Sequence, residues 1–379
     1  MAVRERAVFP SLLVTASLAL GACAATSVET FPTTAEVVDR GNLLNRGPAL
    51  VASAFQAAAD GRVAEIVAKP LGLQDAIEIA MLNSPELQEV YREQHVHYPS
   101  FVRSLAEARF AAAGVSTEWL ALRLALLQAV NRDSTYRFAN EYAEVAPAFV
   151  ETAEHVKELW YGAVGANQSE LLMRSAVEAL KAQAELANEQ YRAGTLPRGV
   201  QARHHLALSA ALKEHAQAKR ELIEAREALI RELRLWGMSV NVALPERLPE
   251  LPTKVAELSE LEPFALRNRL DVMAARTRGG AREAAIAARS HVRESYAKYL
   301  LAFDTAKYQR DVLVPLTQIS LEVTQQEYNG MLVGVYELIA DLTQHMQAGR
   351  DYVEAVRDFW IAEAELTAAL GGALPAPSA

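Results

Sequence analysis

A single cysteine, Cys23, stands in 379 residues, so no disulfide can close within one chain and the fold must rest on packing alone. Aromatic residues make up only 7%. With abundant Ala, Leu and Glu, that is the profile of long helices and coiled coils. Positive charge is not in excess: the formal charge is −9, which removes the basic footprint expected for nucleic-acid binding. Past the N-terminus no stretch reaches about 18 uninterrupted apolar residues, which excludes a transmembrane helix. Enzyme signatures are missing too, with no Gly-rich phosphate loop, no zinc-protease helix motif and no Ser-His-Asp grouping. His204 and His205 are adjacent and so point from different helix faces; with His215 they form at most a weak metal patch. His95 and His97 lack zinc-ligand spacing. Neither a cofactor nor a metal site is read from the chain. Gly162 and Gly165 read as close-packing positions, and Trp160, Trp236 and Trp360 as core.

The first residues carry an address. Arg4 and Arg6 precede an apolar run over 8–20, closed by Leu20, Gly21, Ala22 and Cys23. Positive charge before a short apolar run is the pattern of a secretory signal. The Leu-x-Ala-Cys ending resembles a bacterial lipobox, which makes Cys23 the expected lipid anchor; an ordinary signal peptide with an incidental cysteine is the alternative. Ala24 rather than Asp after the cysteine points to the periplasmic face of the outer membrane. Expected boundaries are a signal peptide over 1–22, an extended leader over 23–69, helical repeats over 70–237 and 258–372, a linker over 238–257 and a disordered tail over 373–379.

Helical periodicity dominates the rest. Residues 49–59 form one plausible short helix in the leader. From Leu73 an amphipathic helix with Ile77, Ala80 and Met81 on one face stops at Asn83, Ser84 and Pro85. Over 98–147 the alternation of Leu120, Leu122, Leu124 and Leu126 suggests a strand, whereas Leu and Ala content favours a helix. A long helix over 148–190 is expected to align Leu172, Ala176, Ala179, Gln183, Leu186 and Gln190. A Gly/Pro turn then leads to a return helix over 200–236, with Leu222, Ala225, Leu229, Leu233 and Trp236 on one side. At 1.5 Å per residue that helix spans about 55 Å, too long for a compact bundle. Ala176, Ala179 and Ala225 offer small seam positions. Beyond a second turn, Leu338, Leu342, His345, Gly349, Tyr352, Val356, Phe359, Glu363, Leu366 and Leu370 repeat at steps of four and three. That is the coiled-coil period.

The chain repeats itself. Tyr191 matches Tyr328 at an offset of 137, which also sets Leu233 on Leu370. Upstream, the segment at Asn83 resembles that at Asn268 with an offset of 185, so the first copy holds 48 more residues between its short and long helices. The second copy joins those parts through Gly279 and Gly280 almost directly. Tandem helical hairpins, all-α in the main, are the expected architecture.

Four stretches carry a family resemblance. They are Leu-Gln-Asp-Ala-Ile-Glu-Ile-Ala at 73–80 with Asn-Ser-Pro-Glu-Leu at 83–87, Tyr-Arg-Ala-Gly-Thr-Leu at 191–196, Gln-Glu-Tyr-Asn-Gly-Met-Leu-Val-Gly-Val-Tyr-Glu-Leu at 326–338, and the run from Arg350 to Leu366 with Leu-Gly-Gly at 370–372. In order and duplication they resemble the TolC-type outer-membrane efflux proteins over about 70–372, especially the heavy-metal-efflux branch. The resemblance implies a homotrimer whose hairpins form a periplasmic duct, docked on a periplasmic adaptor (membrane fusion) protein of an inner-membrane efflux pump. It implies docking tips at Gly194, Thr195, Leu196 and Gly199, and at Leu332, Val333, Gly334 and Val335. An aperture would involve Tyr191, Tyr328, Glu337 and Asp341. Three copies of Glu337 around an axis would favour cations; a helix N-terminal turn is the other role open to it.

One departure bears on function. Members of the family insert a strand hairpin in each copy, and a spanning strand needs about 9–11 residues. The joint at Gly279 and Gly280 has no room for two, so the barrel is expected to be absent or vestigial. Two functions stay open: an efflux duct for small solutes or metal cations, or a non-conducting lipoprotein that keeps the hairpins for partner binding. A decayed remnant is a third.

Overall fold

A computed structural model describes residues 61, 63–84, 136–237, 242–255, 258, 260–372 and 374–375, with the backbone alone at 136–149, 270, 274, 277 and 278. The expectations for the signal, Cys23, the leader to residue 60, the region 98–135, His95, His97 and the tail from 376 lie outside the described residues.

Every regular element among the described residues is helical. In chain order they are α1 (Leu73–Asn83), α2 (Tyr136–Arg192), α3 (Arg198–Glu232), α4 (Leu261–Asn268), α5 (Leu270–Arg278), α6 (Ala281–Tyr308), α7 (Val314–Asn329) and α8 (Val335–Ala369). A π-helical turn, Gln309–Leu313, joins α6 to α7. At 1.5 Å per residue, α2 alone is about 85 Å long. Rod packs on rod: α2 on α3, α8 on α6 and α7, and α8 on α2. The rods therefore lie in the order α3, α2, α8, α6–α7, with α3 and α6–α7 on the outer flanks.

The core gathers at the ends remote from the two turns. There α1 is buried nearly all round, with Ile77 and Ile79 inside together with Leu82. Phe359 of α8 is 1% exposed, its ring 5.3 Å from Tyr299, 5.8 Å from Phe303 and 5.1 Å from Trp360. The linker is laced over this core by side chains that satisfy its unpaired backbone groups. Asn167 Nδ2 donates to the Pro245 carbonyl, the Leu248 amide to Gln168 Oε1, and Trp360 Nε1 to the Pro249 carbonyl. Trp160 Nε1 donates to the Leu71 carbonyl at 2.9 Å.

The turns and return helices of the two copies correspond residue by residue at the offset of 137. The ends of α2 and α7 (Arg192, Asn329), the starts of α3 and α8 (Arg198, Val335) and their ends (Glu232, Ala369) all correspond. So do the buried pairs Ala211 and Ala348, Ala218 and Ala355, Leu229 and Leu366, Leu233 and Leu370. Each short helix abuts the C-terminal end of a long one, where carbonyls lack intrahelical donors. Asn83 Nδ2 donates to the Leu233 carbonyl at 2.7 Å, and Arg269 Nη1 to the Ala369 carbonyl at 3.1 Å. In the second copy α5 passes through Gly279 (φ 91°) and Gly280 (φ 89°) straight into α6, with no strand between them.

Several expectations need correction. The first long helix is Tyr136–Arg192 rather than 148–190, so the described part of 98–147 is helix, as its composition favoured, and the return helix is Arg198–Glu232 rather than 200–236. Its stripe ends earlier than expected, because the chain turns at Leu233 and leaves Trp236 82% exposed. On α2 the buried stripe is one residue away from the expected one: Met173, Leu180, Ala184 and Ala187 are inside, while Ala179, Leu186 and Gln190 face out. Alanine on several faces makes the helix weakly amphipathic, so small packing differences choose the seam. A Cβ on Gly165 would lie 3.3 Å from Arg357, a close approach as expected, but nothing lies within 4 Å at Gly162. Helix α8 runs through Gly349, whose missing Cβ admits Leu172 Cδ2 at 3.3 Å. Pro315 sits inside the long α6–α7 rod. Its ring would crowd the carbonyl four residues back, and the widened π turn just before it relieves that clash.

Candidate functional site: the two turns

Both turns lie at the far ends of the rods and share one backbone design. At the first, the Ala193, Gly194 and Thr195 amides donate to the Glu189, Tyr191 and Gln190 carbonyls at 2.9, 3.0 and 2.9 Å. At the second, the amides of Gly330, Met331 and Leu332 donate to Gln326, Tyr328 and Glu327 at 2.9, 3.0 and 2.9 Å. These bonds cap the last carbonyls of α2 and α7 with a left-handed residue, Gly194 (φ 74°) in one and Met331 (φ 58°) in the other. The first turn adds Thr195 Oγ1 donating to the Gln190 carbonyl at 2.9 Å. Pro197 and Gly334 then cap α3 and α8 in extended conformation.

The turns differ in what they present. The first is polar and small: Gly194, Thr195 and Gly199 are exposed, Leu196 is half-buried and Tyr191 is 40% exposed. The second is apolar: Met331 is 92% and Leu332 79% exposed, Val333 is half-buried, and Val335 is buried at the start of α8. Tyr328 is half-buried.

Glu337 lies in the first turn of α8, exposed, with Oε2 3.0 Å from the place of a Cβ on Gly334. The carboxylate thus folds back over the helix start, where the peptide dipoles favour negative charge. Asp341 is one turn further on and faces α7. Its Oδ2 accepts from Ser320 Oγ at 2.8 Å and Thr324 Oγ1 at 2.6 Å, a clasp across the second hairpin. The corresponding residue in the first hairpin is His204, buried, whose Nδ1 has no hydrogen-bond partner among the described residues. Burial, then the neighbouring His205, lowers its pKa. His205 faces outward to Asn188 Oδ1 at 2.9 Å, and His215 pairs with Glu170 at 2.8 Å. The three imidazoles thus have separate surroundings.

Two features were not found by reading the sequence. Arg350 of α8 is 9% exposed and holds α3: Nη2 donates to Glu221 Oε2 at 2.9 Å, Nε to Glu354 at 3.0 Å, and Nη1 lies 3.5 Å from Glu214. The pairing with Glu354, four residues on, was legible; that with Glu221 needed the fold. The other is a cleft of about 370 Å³ between α2, α3 and α8, lined by Gly162, Gly165, Glu221, Val353, Arg357 and Asp358.

No protein-family model matches the sequence, and no curated protein does. Solved structures do match. A membrane protein from Pseudomonas aeruginosa aligns with 13% identity and a TM-score of 0.58, over 79% of this chain and 90% of that one. The outer-membrane protein VceC of Vibrio cholerae aligns at 12% and 0.57, over 79% and 96%. CusC, whose structures concern transmembrane channel formation, aligns at 12% and 0.56, over 79% and 92%. The chain shares its fold with these membrane proteins, as the TolC-type resemblance implied.

Proposed function

We propose that the protein is a TolC-like, outer-membrane-tethered component of a tripartite efflux system. Its trimeric helical duct docks by the two turns on a periplasmic adaptor and passes small solutes or metal cations. The observation that carries this reading is the pair of matching turns at the ends of rods tens of ångströms long, one offering bare Met331 and Leu332. Solvent-exposed apolar residues at a rod's extremity serve no packing in the protomer and suit a partner. Trimerisation is supported by the flanks. Leu206, Leu212 and Ile223 are exposed on α3, and Leu301, Leu316 and Ile319 on the opposite flank. Two different edges that bury each other generate a ring when the rotation between copies closes.

The test is capture of the adaptor by the full-length protein, together with metal and drug sensitivity of a deletion strain. Capture that is lost in Met331→Asp/Leu332→Asp, with raised sensitivity on deletion, supports the duct. A specific observation favours the second reading, a non-conducting adaptor-binding lipoprotein: α5 joins α6 through two glycines where a duct of this fold would send strands into the membrane. Capture with unchanged sensitivity selects that reading, and failure of capture overturns both.

A further inference from the structure

At the end of the molecule opposite the turns, one segment is rich in arginine. Between residues 261 and 293 seven arginines (267, 269, 276, 278, 282, 289 and 293) accompany only three carboxylates, Glu262, Asp271 and Glu283, in a chain whose formal charge is −9. Three of the seven are occupied: Arg269 by Asp271 at 2.7 Å, and Arg289 and Arg293 by Glu262 at 3.5 and 3.0 Å. Arg267, Arg276 and Arg282 are exposed and pair with no carboxylate among the described residues; Arg276 donates only to the Leu266 carbonyl. Arg276, Arg278 and Arg282 bracket the exposed Gly279–Gly280 turn, with Met273 47% exposed below it. The α6–π–α7 rod between this turn and the apolar tip holds 28, 5 and 16 residues, so the two stand about 70 Å apart.

We infer that the arginine-bracketed α5–α6 turn is a docking surface for an anionic phospholipid bilayer. It would seat the second copy on the membrane headgroups where a strand hairpin would otherwise enter. Charge complementarity selects the occupant. The guanidinium groups of Arg276 and Arg282, which pair with no carboxylate among the described residues, flank a tight turn at the extremity of the rod and suit the phosphates of a headgroup surface. The inference rests on the proposed orientation, with the apolar tips pointing away from the outer membrane.

The test is binding of the full-length protein to phosphatidylcholine vesicles with and without phosphatidylglycerol, at low and high salt. Any lipid on Cys23 contributes equally to wild type and variants. Wild type is expected to prefer the anionic vesicles, and 0.5 M salt to erase the preference. At about fivefold per arginine, Arg276→Gln/Arg278→Gln/Arg282→Gln should lose roughly a hundredfold of that preference. The triple Lys variant should keep most of it, and both variants should retain wild-type circular dichroism. Millimolar inorganic phosphate should not compete, because a single anion lacks the surface potential of a bilayer. Equal affinity of wild type for both vesicles, or a Gln variant that binds like wild type, overturns the inference; so does competition by inorganic phosphate. Lost lipid preference with adaptor capture intact removes this inference alone. Lost capture with lipid preference intact removes the proposed function and leaves the lipid surface standing.

Discussion

The two hairpins have one backbone and opposite choices of residue at its two left-handed positions. In the first copy glycine sits in the turn (Gly194, φ 74°) and an arginine at the end of the return helix (Arg234, φ 53°). In the second copy Met331 (φ 58°) occupies the turn and Gly371 (φ 92°) the helix end. Surroundings explain part of this. A Cβ on Gly371 would fall 3.0 Å from the Asn268 carbonyl group, whereas Gly194 has open space around it. Glycine is obligatory at the packed end of the second hairpin and only conformationally preferred at the first tip. The same contrast runs along the rods. Arg350 on interior α8 is buried, while its counterpart on flanking α3, Lys213, is exposed.

The most damaging change should be Gly371→Ala, which combines an adverse φ with a backbone collision and should cost about 3 kcal/mol. Chemical denaturation should place it far below Arg234→Gly, which should be neutral or stabilising; equal effects would dissolve the contrast between the copies. Next, Arg350→Ala strands Glu221 and Glu354 and removes the tie between α8 and α3. Because both carboxylates reach water, the loss should be about 2 kcal/mol rather than that of a sealed pair. Lys213→Ala, measured alongside, should change stability by less than about 0.5 kcal/mol.

The smaller effects sharpen the comparison further. Gly194→Ala should cost about 1 kcal/mol for the left-handed backbone alone, and Met331→Gly should recover about 0.5 kcal/mol once glycine's extra chain entropy is subtracted. If Met331→Gly also weakens adaptor capture, the strained methionine is kept for contact and not for folding. A pH effect of similar size should come from Glu154 on interior α2. Burial first, then Glu365, Glu158 and Glu151, raises its pKa to about 7 from 4.5. The folded state then holds a proton that the unfolded state has lost, so stability falls as pH rises from 4.5 through 7. Partial exposure limits the change to about 1 kcal/mol. Denaturation midpoints at pH 5 and 8 should show it, and Glu154→Gln should flatten that difference while raising stability at pH 8.

Much of this was legible beforehand. The matching turns, the offset of 137 and the direct Gly279–Gly280 joint follow from local rules, because glycine and proline punctuate helices whatever surrounds them. The α8 stripe was readable from its regular steps of four and three, and Leu338, Val356, Phe359 and Leu366 on it are buried. On α2 alanines leave several faces alike, and the buried line through Met173 and Leu180 was settled by contact with α3 and α8. Of the face read instead, Leu186 is exposed on the protomer while Leu172 packs at Gly349.

Sequence by itself thus determined the helices, their breaks and their duplication, since these depend on residues a few positions apart. Tertiary structure alone decided that Arg350 is buried against Glu221, that His204 lacks the clasp Asp341 enjoys, and that Pro315 is carried by a π turn. It also decided that Arg276 and Arg282, on either side of Gly279, pair with no carboxylate among the described residues and lie at the far end from Leu332. Each depends on groups brought together from distant parts of the chain, where packing and desolvation, rather than local propensity, set the outcome.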